Sequence, residues 1–209
     1  MKKLILVLVL IVFFVSNVFS QKKIISQDEF FSAQIRASEL SDNSIRRIRT
    51  EETTYENGET IKTVTKINEI VDKNNQRFIL SEKAGKKLKK TEWIKCQSKV
   101  YKRKNDGKWI KTKEWQDGSV DRVVMGNPEY TLEKVKIDDK EITLLESFTK
   151  YYFENVQRFI LEKFYINEKG YVLKIEMSFG VYEPQEVESR EIAIYKYNPK
   201  DLKIEAPIK

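Results

Sequence analysis

The chain has 209 residues, 39 Lys or Arg against 32 Asp or Glu, one cysteine and no histidine. Without histidine there is no Ser-His-Asp or Cys-His arrangement and no ordinary zinc site. The lone Cys96 excludes an internal disulfide, and its apolar neighbours Ile94 and Val100 mark it as a buried small hydrophobe rather than a nucleophile. Adjacent acids such as Glu51-Glu52 point to opposite faces of a strand, and Asp138-Asp139 reads as a turn, so no acid–base pair stands out. The expectation is a protein that is not an enzyme and needs neither metal nor cofactor.

Met1-Lys2-Lys3 is a short cationic start, Leu4 to Val15 is an apolar run, and Val18-Phe19-Ser20 fits a signal-peptidase site. Twelve apolar residues fall short of a bilayer span. The expected mature chain begins at Gln21, without a cysteine for a lipid anchor, and is periplasmic or secreted. Residues 1–20 are then the signal peptide. With no Gly/Ser/Pro linker, 21–209 reads as one domain, long enough for a real core.

The mature chain opens with a helix. Ser26-Gln27-Asp28-Glu29 is a capping box, and Phe30, Ala33, Ala37 and Leu40 recur at helical spacing, with Phe31 and Ile35 widening the face. Ser41-Asp42-Asn43-Ser44 ends the pattern. Runs rich in Thr, Ile, Val, Tyr and Phe then alternate with turn signals at Asn57-Gly58, Asp72 to Asn75, Asn105-Asp106-Gly107, Asp117-Gly118, Gly126-Asn127-Pro128, Asp138-Asp139, Asn167 to Gly170 and Asn198-Pro199. A two-residue turn at Asn57-Gly58 sets Ile48 opposite Ile67. Pairing Ile166 with Tyr171 sets Phe164 opposite Leu173, with Tyr171, Leu173, Ile175, Met177, Phe179 and Val181 on one core face. Ile192, Ile194, Leu202, Ile204 and Ala206 alternate with polar residues up to Pro207. The expected class is mainly β (α+β): one large, curved antiparallel sheet with the N-terminal helix on its concave face.

One stretch is unlike the rest. Lys83 to Lys113 holds 13 Lys or Arg and only Glu92 and Asp106 as acids, a net of +11. The mature chain, with 37 bases and 32 acids, totals +5. Folding the stretch at Asn105-Asp106-Gly107 sets Tyr101 opposite Lys111 and Val100 opposite Thr112. Ile94, Cys96, Val100 and Ile110 then form a core side, against a face with Trp93, Lys95, Lys99, Tyr101, Arg103, Trp109, Lys111, Lys113 and Trp115. That face admits three readings. It is a solvated surface with lysine stems on tryptophan rings, a site for an anionic amphiphile, or a nucleic-acid patch, a partner an exported protein seldom meets.

The layout of signal peptide, amphipathic helix and long strands, ending in Tyr195-Lys196-Tyr197-Asn198-Pro199-Lys200-Asp201-Leu202-Lys203-Ile204-Glu205-Ala206-Pro207, resembles the LolA-like superfamily of periplasmic lipoprotein carriers and envelope lipid-binding proteins. Val100-Tyr101-Lys102-Arg103 and Asp106-Gly107-Lys108-Trp109 are similar to a hairpin of exported relatives. The resemblance implies a half-open barrel whose apolar concavity shelters acyl chains, and an arginine that holds the lid, for which Arg46, Arg47 and Arg49 are candidates. Expected ligand-binding residues are Trp93, Tyr101, Trp109, Trp115, Phe30 and Phe31, and expected anionic-surface contacts are Lys95, Lys99, Arg103, Lys111 and Lys113. The expected function is sheltering a lipid or acyl-chain ligand. The alternative is an envelope interaction module whose basic hairpin contacts an anionic membrane surface or an envelope protein.

Overall fold

The computed structural model describes residues 22–42, 46–57, 61–115, 126–183, 186–200 and 203–208. The expected signal peptide and the turn signal at Asp117-Gly118 lie outside these residues. In chain order the elements are β1 (Lys23–Ile24), α1 (Gln27–Asp42), β2 (Arg46–Asn57), β3 (Ile61–Asp72), β4 (Asn75–Ala84), β5 (Lys87–Cys96), β6 (Lys99–Lys104), β7 (Ile110–Thr112), β8 (Glu129–Ile137), β9 (Lys140–Phe153), β10 (Val156–Asn167), β11 (Val172–Val181) and β12 (Glu186–Tyr197). All twelve strands form one antiparallel sheet in the order β1-β8-β9-β10-β11-β12-β2-β3-β4-β5-β6-β7. It is a large curved sheet in a partial ring, mainly β with a single helix among the described residues, as the sequence leads one to expect. Both free edges are short and carry lysine, a common safeguard against edge-to-edge association.

The helix starts where its capping box places it. Glu29 N donates to Ser26 Oγ at 3.2 Å, and Ser26 N donates back to Glu29 Oε2 at 3.1 Å. Phe30 and Ala37 are buried, and with Ile25 they pack on Tyr130, Leu145, Phe164, Ile166 and Val172. The helix approaches β8 on one side and β11 on the other, so the sheet curves around it. Ile35 and Leu40, expected on the buried face, are exposed. The packed arc is narrower than the apolar arc of the sequence, because it must fit between those two flanks.

Register follows turn chemistry. The two-residue turns Gln97-Ser98, Asp138-Asp139 and Glu154-Asn155 have positive φ at both positions, the primed geometry that suits strand twist. Asn57 pairs with Ile61, leaving three residues between the strands rather than two, so Ile48 faces Ile70 and not Ile67. In the β10–β11 hairpin Ile166 faces Val172 rather than Tyr171, and a bulge between Tyr165 and Ile166 adds one more residue, so Phe164 faces Ile175, not Leu173. The even shift keeps Ile175, Met177 and Phe179 on the predicted face, but before the bulge the phase is reversed: Val172 enters the core in place of Tyr171 and Leu173. On β12 the phase is the reverse of that expected. Ala193 is buried and Ile194 exposed, and residues 203–208 are not a strand. A second bulge sits between Phe179 and Gly180, where a Cβ on Gly180 would lie 1.8 Å from Glu186 O.

Candidate functional site: the inner face and the basic edge

Cross-strand partners share a face, so the pairings map the inside of the ring. One row, Leu132–Leu145–Phe164–Ile175–Ala193, is apolar and lies under the helix. The row Tyr195–Arg49–Glu69–Phe78–Trp93–Lys102–Ile110 continues the same face towards β7. The inner face therefore carries two apolar patches, one under α1 and one at Phe78 and Trp93, with charged residues between them. Phe78 and Trp93 meet edge to face at 5.7 Å, and both are nearly solvent-free. A Lys102 ammonium stands over the Trp93 ring at 5.3 Å. Near the helix the Tyr130 hydroxyl is buried with no hydrogen-bond partner among the described residues, and burial, then the charge of Glu162, holds it in the neutral phenol form.

The C-terminus of the helix is tied to two strands, and a third braces one of them. Ser41 Oγ donates to Ala37 O at 2.8 Å and accepts from Val172 N at 3.1 Å. Arg47 Nη1, from β2, donates to Ser41 O at 3.3 Å, and Arg47 also lies 3.6 Å from Glu69. A cation at a helix C-terminus meets the negative end of the dipole. Tyr197 donates to Val172 O at 2.6 Å, completing the cluster from β12.

The basic stretch forms β5, β6 and β7, one free edge of the ring. The predicted pairs Tyr101–Lys111 and Val100–Thr112 are present. The predicted faces are not. The turn at Gln97-Ser98 sets Cys96 opposite Lys99 and Ile94 opposite Tyr101, which inverts the alternation between β5 and β6. Trp93 and Lys95 therefore face inward with Val100 and Ile110, while Tyr101, Arg103 and Lys111 face outward with Ile94. The supposed core side is split as well: Ile94 and Cys96 are buried outside the ring, beneath Ile204 of the C-terminal segment and beside Trp109. Tyr101 is buried on that side, and Trp115 is half-buried under the Lys95 ammonium, 5.9 Å from its ring. Phe30 is sealed in the core, and Phe31 is half-buried against it.

The outer side of this edge holds an ion network that sequence reasoning missed. Glu92 is 1% exposed and lies between two guanidinium groups. Arg77 reaches Oε1 at 2.5 Å, and Arg103 reaches Oε2 at 2.6 and 2.8 Å. Arg103 also stacks on Trp109 at 4.7 Å, so it is engaged within the fold. The signal was present as an isolated acid among bases, but its partners could only be named once β4 and β6 were known to flank β5. Lys90 pairs with Asp106 and Lys102 with Glu114. Lys99, Lys108, Lys111 and Lys113 have no acidic partner among the described residues, and Lys104 only the more distant charge of Glu114. Lys104, Lys108 and Lys113 line an open groove of about 510 Å3 beside Ile110.

Among the described residues no cluster of His, Cys, Asp or Glu could hold a metal, and no helix is long and apolar enough to cross a membrane. No protein-family model and no curated protein matches the chain.

Proposed function

We propose that the chain is an exported, non-enzymatic binding protein that shelters a hydrophobic or lipid ligand against the inner face of the ring. The observation that carries this reading is the second apolar patch. The helix cluster reaches only from β8 to β12 on the inner face, and Phe78 and Trp93 add an aromatic pair on the same face beyond its reach, buried as it stands, so that a ligand would have to open it. Burial of acyl methylenes at about 0.8 kcal/mol each would hold a long chain with little polar recognition. Arg47, on the helix carbonyl, suits the lid-holding role that a LolA-like resemblance implies. Native mass spectrometry of the chain from Gln21 to Lys209, purified without detergent, is the test. Lipid adducts released on denaturation support the reading, and Trp93→Ala is expected to weaken binding of a fluorescent fatty acid about tenfold. A bare protein that ignores such probes ends it.

The unpaired lysines favour a second reading, an envelope interaction module that binds an anionic partner through the β5–β7 edge. Reversing charge at Lys99, Lys111 and Lys113 then abolishes a salt-sensitive association. On the first reading the same change leaves ligand in the ring.

A further inference from the structure

The pairings trace one rim of the ring without a break. From the β9–β10 turn, Arg158 pairs with Val181, Gly180 with Val187, Ser189 with Tyr55, Tyr55 with Thr63, Thr63 with Ala84, and Ala84 with Lys87 at the β4–β5 turn. The β9–β10 and β4–β5 hairpin tips therefore project at the same end. In the strand order four strands, β11, β12, β2 and β3, lie between the two hairpins. The other way round, across the gap, there are also four: β6, β7, β1 and β8. The tips stand on opposite sides of the rim.

Both tips expose what a folded protein ordinarily hides. At β9–β10, Tyr152 is 74% and Phe153 52% exposed, with Val156 beside them. At β4–β5, Leu88 is 61% exposed among Lys83, Lys86, Lys87 and Lys89, none of which forms an ion pair among the described residues, although Glu82 stands across from Lys89. Glu154, Glu183 and Glu186 lie on the β9–β12 side of the rim. Charge and apolar surface are thus divided: one tip is chiefly cationic with a leucine, the other chiefly aromatic.

We propose that this rim docks on an anionic lipid bilayer, with this end of the ring towards it. The β4–β5 lysines meet headgroup phosphates while Leu88, Tyr152 and Phe153 enter the interface. Two separated footings in one rim fit a broad, flat surface better than a pocketed protein partner. Lysines near an anionic membrane and aromatic rings at headgroup depth are each favourable there. The proposal takes its purpose, exchange of ligand with a membrane, from the lipid reading above; its geometry is independent of that reading.

The test is flotation of the Gln21 to Lys209 chain with phosphatidylcholine vesicles, with and without phosphatidylglycerol, over a range of salt. The wild type is expected to float with the anionic vesicles and to dissociate as salt rises. Lys86→Glu/Lys87→Glu/Lys89→Glu should weaken binding about tenfold or more. Tyr152→Ser/Phe153→Ser should weaken it several-fold while keeping the salt dependence. All these side chains are exposed, so circular dichroism should show an unchanged fold. A wild type that stays with the soluble fraction overturns the proposal, as do two variants that both float like the wild type. Ligand content, read by native mass spectrometry on the same preparations, separates the two ideas. Ligand present without flotation removes the rim proposal alone, and flotation of an empty protein removes the ligand reading alone.

Discussion

The β8–β11 and β4–β7 sides of the ring are built on different physics. Under the helix the sheet holds Leu145, Phe164 and Val172, each with at most 2% of its surface exposed, and Phe30 closes the inner side. At the basic edge the outer side is organised around one buried carboxylate and two arginines, with a small apolar cluster under Ile204. Apolar burial is non-directional and tolerant. A buried charge is neither, because removing one partner strands the others. The first side therefore sets overall stability, while the second holds a particular arrangement of strands at an open edge.

Four changes test that contrast, from the largest effect to the smallest. Phe30→Ala should cost about 3–5 kcal/mol in denaturant unfolding, since it empties the helix–sheet contact. A loss under 1 kcal/mol would mean that the helix is not part of the cooperative core. Glu92→Ala should cost about 3 kcal/mol by leaving Arg77 and Arg103 facing each other. Its loss of hydrogen-exchange protection should be confined to β4–β6, and a spread into β8–β11 would show that the two sides are one unit. Ser41→Ala should cost about 1–3 kcal/mol, because Val172 N loses its acceptor, with protection lost at the helix C-terminus and the start of β11.

The smallest effect is a pH dependence on the outer face. Burial pushes Glu176 up, but hydrogen bonds from Lys174 and Tyr165 and the charges of Lys174 and Arg190 outweigh it, so its pKa lies below the ordinary value. Burial first, then the hydrogen bond to Glu176, pushes Tyr165 up to about 12. A depressed carboxylate contributes stability above its unfolded pKa, about 4.3. That contribution is lost as pH falls through the lower folded value. Glu176→Gln should therefore flatten part of the acid limb of the stability profile, and an unchanged limb would remove Glu176 from the account.

The inverted faces at the basic edge have a single cause. Ile94, Cys96, Val100 and Ile110 were placed on one face because Lys89 to Lys104 contains no Gly, Pro or Asn-Gly signal before Asn105. The turn there is Gln97-Ser98, two residues that tolerate positive φ only because the flanking strands enforce it. A missed two-residue turn inverts every side chain beyond it. The two-residue slip at β10–β11 did no such damage beyond the bulge. The helix-face residues Ile35 and Leu40 failed for a different reason, since periodicity shows which arc is apolar but not how wide a groove will receive it.

The sequence by itself determined the class of fold, the capping box at Ser26 and Glu29, the turn at Asp138-Asp139, the Tyr101–Lys111 pairing and the concentration of positive charge. These are local properties, set by propensity, spacing and composition. Only the tertiary structure decided that Trp93 faces into the ring while Tyr101 faces out, that Glu92 is shared by Arg77 and Arg103, and that the tips at Phe153 and Lys86 lie on one rim. Each of these brings together residues from different strands, and strand order and register depend on the summed pairing of the whole sheet rather than on any one segment.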